Sequence, residues 1–345
     1  MFPMLTGGVC SYDETLAVSG AGAFTFDYVS PFLYVVDEGS SQDGILKIYD
    51  VSSPSAPSLL STTALPTDSG PRNPRYISGK LFIPYRDTNN VNRQVTIWNV
   101  DNPASPFKVG ETINMAGATA KPFDIDVIGN ILAVAVSTGT YYIEKHDISD
   151  PANPAFVAGR TNTGGLNCTG VRHFGNVFYV IGQGGSGAPA FLVSVNPDTW
   201  GFFDSISATN GAGSGGDLVI HSDGVHLYAP LNNSNRLWAV DITDPANLAT
   251  FSEVAMTQTG TQTSATGSIV LIEATQRLYI GRPNGGGLLI PIMDITNKDT
   301  PAVSGSISTN GETVTDLAVL TGCSGFAWGQ GTGATIHLLG TAPTS

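Results

Sequence analysis

The chain is poor in charge. Asp, Glu, Lys and Arg make up only 12% of its 345 residues, while 41% are hydrophobic. That combination excludes a disordered chain, which needs few apolar groups and many charges. Basic residues are scarcer still: Lys and Arg number 15 against 28 Asp and Glu, a formal charge of −13. An acidic surface repels phosphate backbones and anionic headgroups, so neither nucleic acid nor a membrane surface is an expected partner. No apolar run reaches about 18 residues, so no inserted helix is expected. Stretches free of Gly, Pro, Ser, Thr and Asn are short, which argues against long helices.

Cysteine is scarce too. Cys10, Cys168 and Cys323 are odd in number, far apart and without CxxC or Cys/His ligand spacing, so they read as free thiols. A Cys10–Cys323 bond would need the two ends of the chain to meet, which spacing alone does not establish. The N-terminal MFPMLTGGVC holds no Lys or Arg and no sustained apolar core, so it does not read as a secretory signal. Neither end carries a lipidation motif.

What the chain has is turn formers, with 41 Gly and 21 Pro, and a phrase that repeats. An apolar strand leads into Asp or Asn, then Ile or Val, then a short polar turn with a Pro pair. It reads LKIYDVSSPSAP at 46–57, VTIWNVDNPASP at 95–106, IEKHDISDPANP at 143–154 and LWAVDITDPANL at 237–248. PIMDITNKDTP at 291–301 is a longer version and FLVSVNPDTW at 191–200 a degraded one. The anchors Asp50, Asn99, Asp147, Ser194, Asp241 and Asp294 are separated by 49, 48, 47, 47 and 53 residues. A last strand at 335–339 lies about one period further on. Repeats of roughly 40–50 residues with several short strands each indicate propeller blades.

Each repeat offers four strand signals bounded by turn residues. The anchor carboxylate or amide suits an Asx-turn, and the Pro that follows stops the ladder. The last copy ends after its third strand, whereas ETLAVSG at 14–20 reads as a fourth strand with no blade before it. The sequence therefore predicts an all-β fold. Residues 1–345 form a single seven-bladed β-propeller of four-stranded antiparallel blades, with residues 14–20 supplying the outer strand of the C-terminal blade and closing the ring.

The phrases LKIYDVSSPSAP, IEKHDISDPANP and LWAVDITDPAN resemble the LVIVD-repeat family of β-propellers, and the likeness runs from about residue 14 to 339. No Trp-Asp dipeptide closes a repeat, and the glycine pairs fall at differing phases, so WD40 and kelch patterns fit less well. The chain departs from the family at the Ser194 copy, which lacks the Asp, and at Gly340 in the last copy. Pro291 within a third strand predicts an edge or bulge there. The resemblance implies a bacterial or viral context and a surface or extracellular setting. It implies no single activity.

No HExxH, GxSxG, P-loop or Asp-rich calcium loop is present. GAGSGG at 211–216 fits a dinucleotide string but precedes no helix, and His146, His173, His221, His226 and His337 are dispersed. No cofactor and no metal are expected. Polar residues on or entering the first strands would line the central channel: Arg72, Arg75, Lys121, Asp124, Asn167, Arg172, Asp217 and Asp316. They could form a mixed-charge mouth that grips a carboxylate or sugar, or they could pair with one another and knit the blades together. The second reading is preferred.

Two functions follow. The first is a non-enzymatic interaction or structural propeller that binds protein partners or a surface glycan as part of a larger assembly. Without an export signal, such a chain would be virion-associated, as a phage appendage or decoration, or cytoplasmic. The second is a hydrolase or lyase acting on a carbohydrate or lactone at the channel mouth, with carboxylates drawn from Asp124, Asp217 and Asp316.

Overall fold

The structure is a computed structural model. It describes residues 13–17, 24–37, 44–66, 70–85, 93–112, 115–117, 120–161, 165–184, 188–209, 215–231, 234–256, 268–281, 289–308, 314–320, 325–330 and 335–339. Cys10 and Cys323 lie outside these residues. The described chain is built of β-strands with one single-turn 3-10 segment, Glu273–Thr275.

The first strand, β1 (Asp13–Ala17), stands apart from its sequence neighbours. Next come β2 (Phe24–Val29), β3 (Phe32–Asp37), β4 (Ile45–Asp50) and β5 (Ser58–Ala64) as one antiparallel sheet. The second sheet is β6 (Arg75–Ile77), β7 (Lys80–Pro84), β8 (Val95–Asn99) and β9 (Phe107–Glu111). Then follow β10 (Lys121–Ile128), β11 (Ile131–Ser137), β12 (Tyr141–Asp147) and β13 (Ala155–Thr161). They are succeeded by β14 (Asn167–Phe174), β15 (Val177–Gln183), β16 (Ala190–Val195) and β17 (Phe202–Ser207). Two more four-stranded sheets are β18 (Val219–Ile220), β19 (His226–Leu231), β20 (Arg236–Asp241), β21 (Ala249–Ala255), and β22 (Ile269–Ile272), β23 (Arg277–Ile280), β24 (Leu289–Asp294), β25 (Ala302–Ser308). The last set is β26 (Val314–Leu320), β27 (Gly325–Gln330) and β28 (Thr335–Leu339).

The first strands touch in a closed circuit, from β2 through β6, β10, β14, β18, β22 and β26 back to β2. This is an all-β propeller. The predicted pattern of separate four-stranded blades has one departure. β10–β13 and β14–β17 form a single eight-stranded sheet, because Ser137 pairs with Asn167 across their junction. The Asn167 side chain makes that bridge: its Oδ1 accepts from Ser137 Oγ and from Thr138 N, both at 3.0 Å. Asn167 is thus a junction residue.

The ring closes through β1. It runs antiparallel to β28, from Asp13 opposite Leu339 to Ala17 opposite Thr335. The strand begins one residue before the predicted segment and ends three residues short of it.

The repeated phrase performs three tasks. First, its anchor side chain accepts the backbone N–H two residues on. This Asx-turn occurs at Asp50, Asn99, Asp147, Asp241 and Asp294, with distances of 2.7–2.9 Å. In the degraded copy the role passes from Ser194 to Asn196, whose Oδ1 accepts from Asp198 N at 2.8 Å. Second, the apolar residue after the anchor is buried, as with Val51, Val100, Ile148, Ile242 and Ile295. Third, carbonyls of the turn receive a donor from the preceding repeat. Ser61 Oγ donates to Pro103 O at 2.7 Å, Lys145 Nζ to Pro197 O at 2.5 Å, Ser194 Oγ to Pro245 O at 2.6 Å and Ser252 Oγ to Asp299 O at 2.6 Å. At the remaining contact of this kind the approach is so close that a Cβ on Gly110 would sit 2.2 Å from Pro151 O, so glycine is required there.

Six ladders between a third and a fourth strand slip by one residue at or just before the anchor, at Ile48/Tyr49, Ile97/Trp98, Lys145/His146, Ser194/Val195, Ala239/Val240 and Ile292/Met293, whereas the β28–β1 ladder runs without a slip. Such bulges increase the local twist and splay the outer strand. Pro291 sits where the β23–β24 ladder has already ended at Tyr279–Ile292, so its missing N–H breaks no bond on that side. Apolar clusters fill the spaces between neighbouring blades. One joins Tyr34, Val36 and Ile48 to Leu81, Ile83 and Trp98; another joins Tyr179 and Ile181 to Leu227, Ala229 and Trp238. Burying a large apolar side chain stabilises by about 1.5–3 kcal/mol, so removing a blade's neighbour is costly.

Deleting residues 1–20 would leave β28 paired with β27 alone and uncover part of the cluster that holds Leu16 and Ile336. The deletion is expected to lower Tm by about 5 °C or more. Calorimetry checks this, and an unchanged Tm would show that β1 does not close the ring.

Candidate functional site

The inner ends of the blades enclose a cavity of about 520 Å³. Its wall includes residues of every first strand in the circuit, among them Asp27, Arg75, Asp124, Arg172, Asp217 and Asp316. Five of the eight residues predicted for the channel are therefore brought together: Arg75, Asp124, Arg172, Asp217 and Asp316. The other three lie off the cavity wall. Arg72 is fixed beside the second sheet, where its N–H donates to Pro84 O at 3.0 Å. Lys121 pairs with Ser137 at the start of β10. Asn167 serves the junction described above.

The five are not free. Arg172 ties together carboxylates from the strands on either side of its own: one guanidinium nitrogen is bonded to Asp124 Oδ2, and the other donates to Asp217 Oδ1 at 2.5 Å. Arg75 Nε lies 3.8 Å from the second Asp124 oxygen. Val171 N also donates to Asp124, at 3.0 Å. Arg172 is held firmly protonated because these carboxylates outweigh the burial that opposes its charge.

A second set of contacts joins several neighbouring first strands. Asp316 Oδ2 accepts from Phe26 N at 2.9 Å, Asp27 Oδ2 from Tyr76 N at 2.6 Å and Asp126 Oδ2 from His173 N at 2.7 Å. The other oxygen in each case accepts the N–H of the following residue, Leu317, Tyr28 or Val127. Thr25 Oγ1 likewise accepts Asn73 N at 2.7 Å, and Asn73 Nδ2 donates to Phe123 O at 2.7 Å. One carboxylate thus satisfies two backbone donors, one on each of two blades.

Sequence reasoning missed Asp27, Asn73, Asp126 and His173. A signal for Asp27 existed. It stands 23 residues before the anchor Asp50, as Asp124 stands 23 before Asp147. The phase of the phrase therefore marks the channel position in both repeats.

Burial sets the electrostatics. It raises Asp27 above the usual carboxylate range against the pull of Arg75, and it raises Asp217 against that of Arg172. Asp316, with backbone donors and no cation as its hydrogen-bond partners, is pushed by burial from 3.8 to about 7. Asp126 behaves oppositely. Burial works against its charge, but the hydrogen bond and charge of His173 keep it low, and His173 is raised in return, chiefly by that hydrogen bond. Among the described residues no three His, Cys, Asp or Glu side chains converge as metal ligands would. Buried Cys168 has its thiol pushed up by desolvation, which disfavours the reactive thiolate.

Comparison with known proteins bears on the fold. Residues 31–64 and 121–163 match the family described as LVIVD repeat. These stretches hold β3–β5 and β10–β13, and so two copies of the phrase. A similar solved structure is the β-propeller domain of Cps50 (Swd1) from Myceliophteria thermophila. It is 11% identical, with a TM-score of 0.67, and the match covers 96% of this chain and all of that one. No curated protein matches. The chain has the fold of a β-propeller, and two stretches of it match the LVIVD repeat.

Asp316 has a pH signature. The unfolded chain releases its proton near pH 4, whereas the folded chain holds it to about 7. Asp316 therefore costs stability as pH rises through that window, on the order of 1.4 kcal/mol per pH unit. Asp316→Asn is expected to remove this loss. Urea unfolding of both proteins at pH ~5 and ~7.5 checks it, and equal changes in the two would exclude the shift.

Proposed function

We propose that this β-propeller is a non-enzymatic interaction or structural protein, with seven blades, that binds a protein partner through its rim. The blade count follows from dividing the eight-stranded sheet at its single Ser137–Asn167 pair. One observation carries the reading. The outer strands of four consecutive repeats each expose a large apolar side chain within their first three residues: Leu59 on β5, Phe107 on β9, Val157 on β13 and Phe203 on β17 are 40–57% exposed. Large apolar side chains exposed on successive blades of a chain with so few charges are suited to protein contact. The paired state of the channel arginines supports the same reading, because their donors are already directed at Asp124 and Asp217. A place in a larger particle such as a virion is proposed as the setting on composition alone. A surface glycan is the second class of partner.

The test is affinity capture with the intact chain and with Phe107→Asp/Phe203→Asp. The variant should melt within about 2 °C of the parent, since exposed sites contribute little to stability, yet retain at least tenfold less partner. Equal retention by both would remove the rim from the reading.

A second reading, a hydrolase or lyase acting on a carbohydrate or lactone, is favoured by Asp316. A carboxyl that keeps its proton to about pH 7 on the same cavity as the arginine-paired Asp124 matches the division between acid and base seen in such enzymes. A panel of glycoside and lactone substrates is expected to give turnover that Asp316→Asn abolishes at unchanged binding. No turnover across the panel would dismiss this reading.

A further inference from the structure

We infer that the groove between the third and fourth repeats is a binding site for a small organic carboxylate with an aromatic or branched aliphatic body. It is separate from both the channel and the rim reading. The groove has a volume of about 300 Å³, and its lining includes Tyr142, Leu166, Pro189, Phe191, Phe202 and Ile206. None of its lining residues is charged; the hydroxyls of Ser205 and Ser207 are polar groups in the wall. The volume suits a ligand of one ring better than a protein surface.

The aromatic groups are arranged as a slot. Tyr142 meets Phe191 edge-on at 6.4 Å and lies tilted against Phe202 at 6.0 Å. Tyr142 and Phe191 are buried, so their rings are fixed, while Phe202 is 41% exposed at the entrance. Aromatic edges and faces held this way accept a further ring.

Arg160 supplies the charge. Its guanidinium carbon sits 4.7 Å from the centre of the Phe202 ring. Its Nε is buried and has no hydrogen-bond partner. Three other arginines in this acidic chain lie against carboxylates, Arg75 at Asp124, Arg172 at Asp124 and Asp217, and Arg277 at Asp294, while Arg236 donates to the carbonyl of Glu253. Arg160 forms no ion pair among the described residues. A guanidinium that can bind a carboxylate with two parallel bonds thus stands unpaired beside an uncharged aromatic slot. The buried Nε is closed to an incoming group, so a carboxylate would pair with the two terminal nitrogens of the guanidinium. The apolar wall would take the body of the ligand.

The probe is 3-phenylpropionate, with 3-phenylpropionamide as its uncharged counterpart, followed by saturation-transfer NMR and calorimetry. The acid should bind the native protein at least about tenfold more tightly than the amide. Arg160→Gln, which keeps a polar chain of similar reach, should abolish that preference, and Ala188→Trp, which fills the groove, should abolish binding of both. The amide comparison uses the unmodified protein and is independent of how the variants fold. Equal affinity for acid and amide, or no binding of the acid up to roughly 10 mM, would overturn the proposal.

Discussion

The fold depends on hydrogen bonds that pass from one blade to the next through side chains. Within a blade, backbone ladders satisfy the polar groups. Among the described residues a single ladder pair, Ser137–Asn167, joins neighbouring blades, and elsewhere blades meet through side-chain packing and side-chain hydrogen bonds. Packing is tolerant of sliding, whereas a hydrogen bond is not. Two belts of such bonds set the register. At the axis, Asp27, Asp126 and Asp316 each reach a backbone N–H of the next first strand. Nearer the rim, Ser61, Lys145, Ser194 and Ser252 each reach a carbonyl of the next phrase turn. The repeat in the sequence is therefore a repeat of interfaces as much as of strands.

This constraint also accounts for the charges in the channel. A buried carboxylate is expensive unless its oxygens are occupied. Those at the axis are occupied twice over, by their own following N–H and by the neighbouring blade, or by Arg172. Where the cation is missing, as at Asp316, the proton stays instead. The same residues that line the cavity are the ones that hold the ring together, so a ligand there would have to compete with the fold. The apolar rim and the groove beside Arg160 carry no such obligation, which is why the functional readings favour the outside of the molecule.

Much of the architecture was legible. The period of the phrase, its Asx anchor and its terminating Pro are local properties, and the backbone follows them at five of the six anchors. The exception is instructive: when Ser194 replaces Asp, Asn196 takes over the turn two residues later, because any short acceptor side chain at the bend can do the work. Of the channel residues, Arg75, Asp124, Arg172, Asp217 and Asp316 were readable from their place ahead of the second strand. Asp27 was equally well marked by its distance from Asp50 but carried no motif to draw notice. Arg72, Lys121 and Asn167 were misplaced because a first strand is long enough to hold residues outside the cavity, and sequence position does not say which end opens onto it.

The sequence by itself determined the class of fold, the length of the repeat and the incomplete last copy that β1 completes. These follow from local turn chemistry and from a periodicity that any one repeat displays. Only the tertiary structure decided which charges meet, that the third and fourth repeats share a sheet, and that Arg160 is left on a ring face without a carboxylate. Those outcomes depend on contacts between residues some 30–50 positions apart or on opposite ends of the chain. Their geometry is set by how the blades rotate around the axis, and no local pattern encodes that rotation.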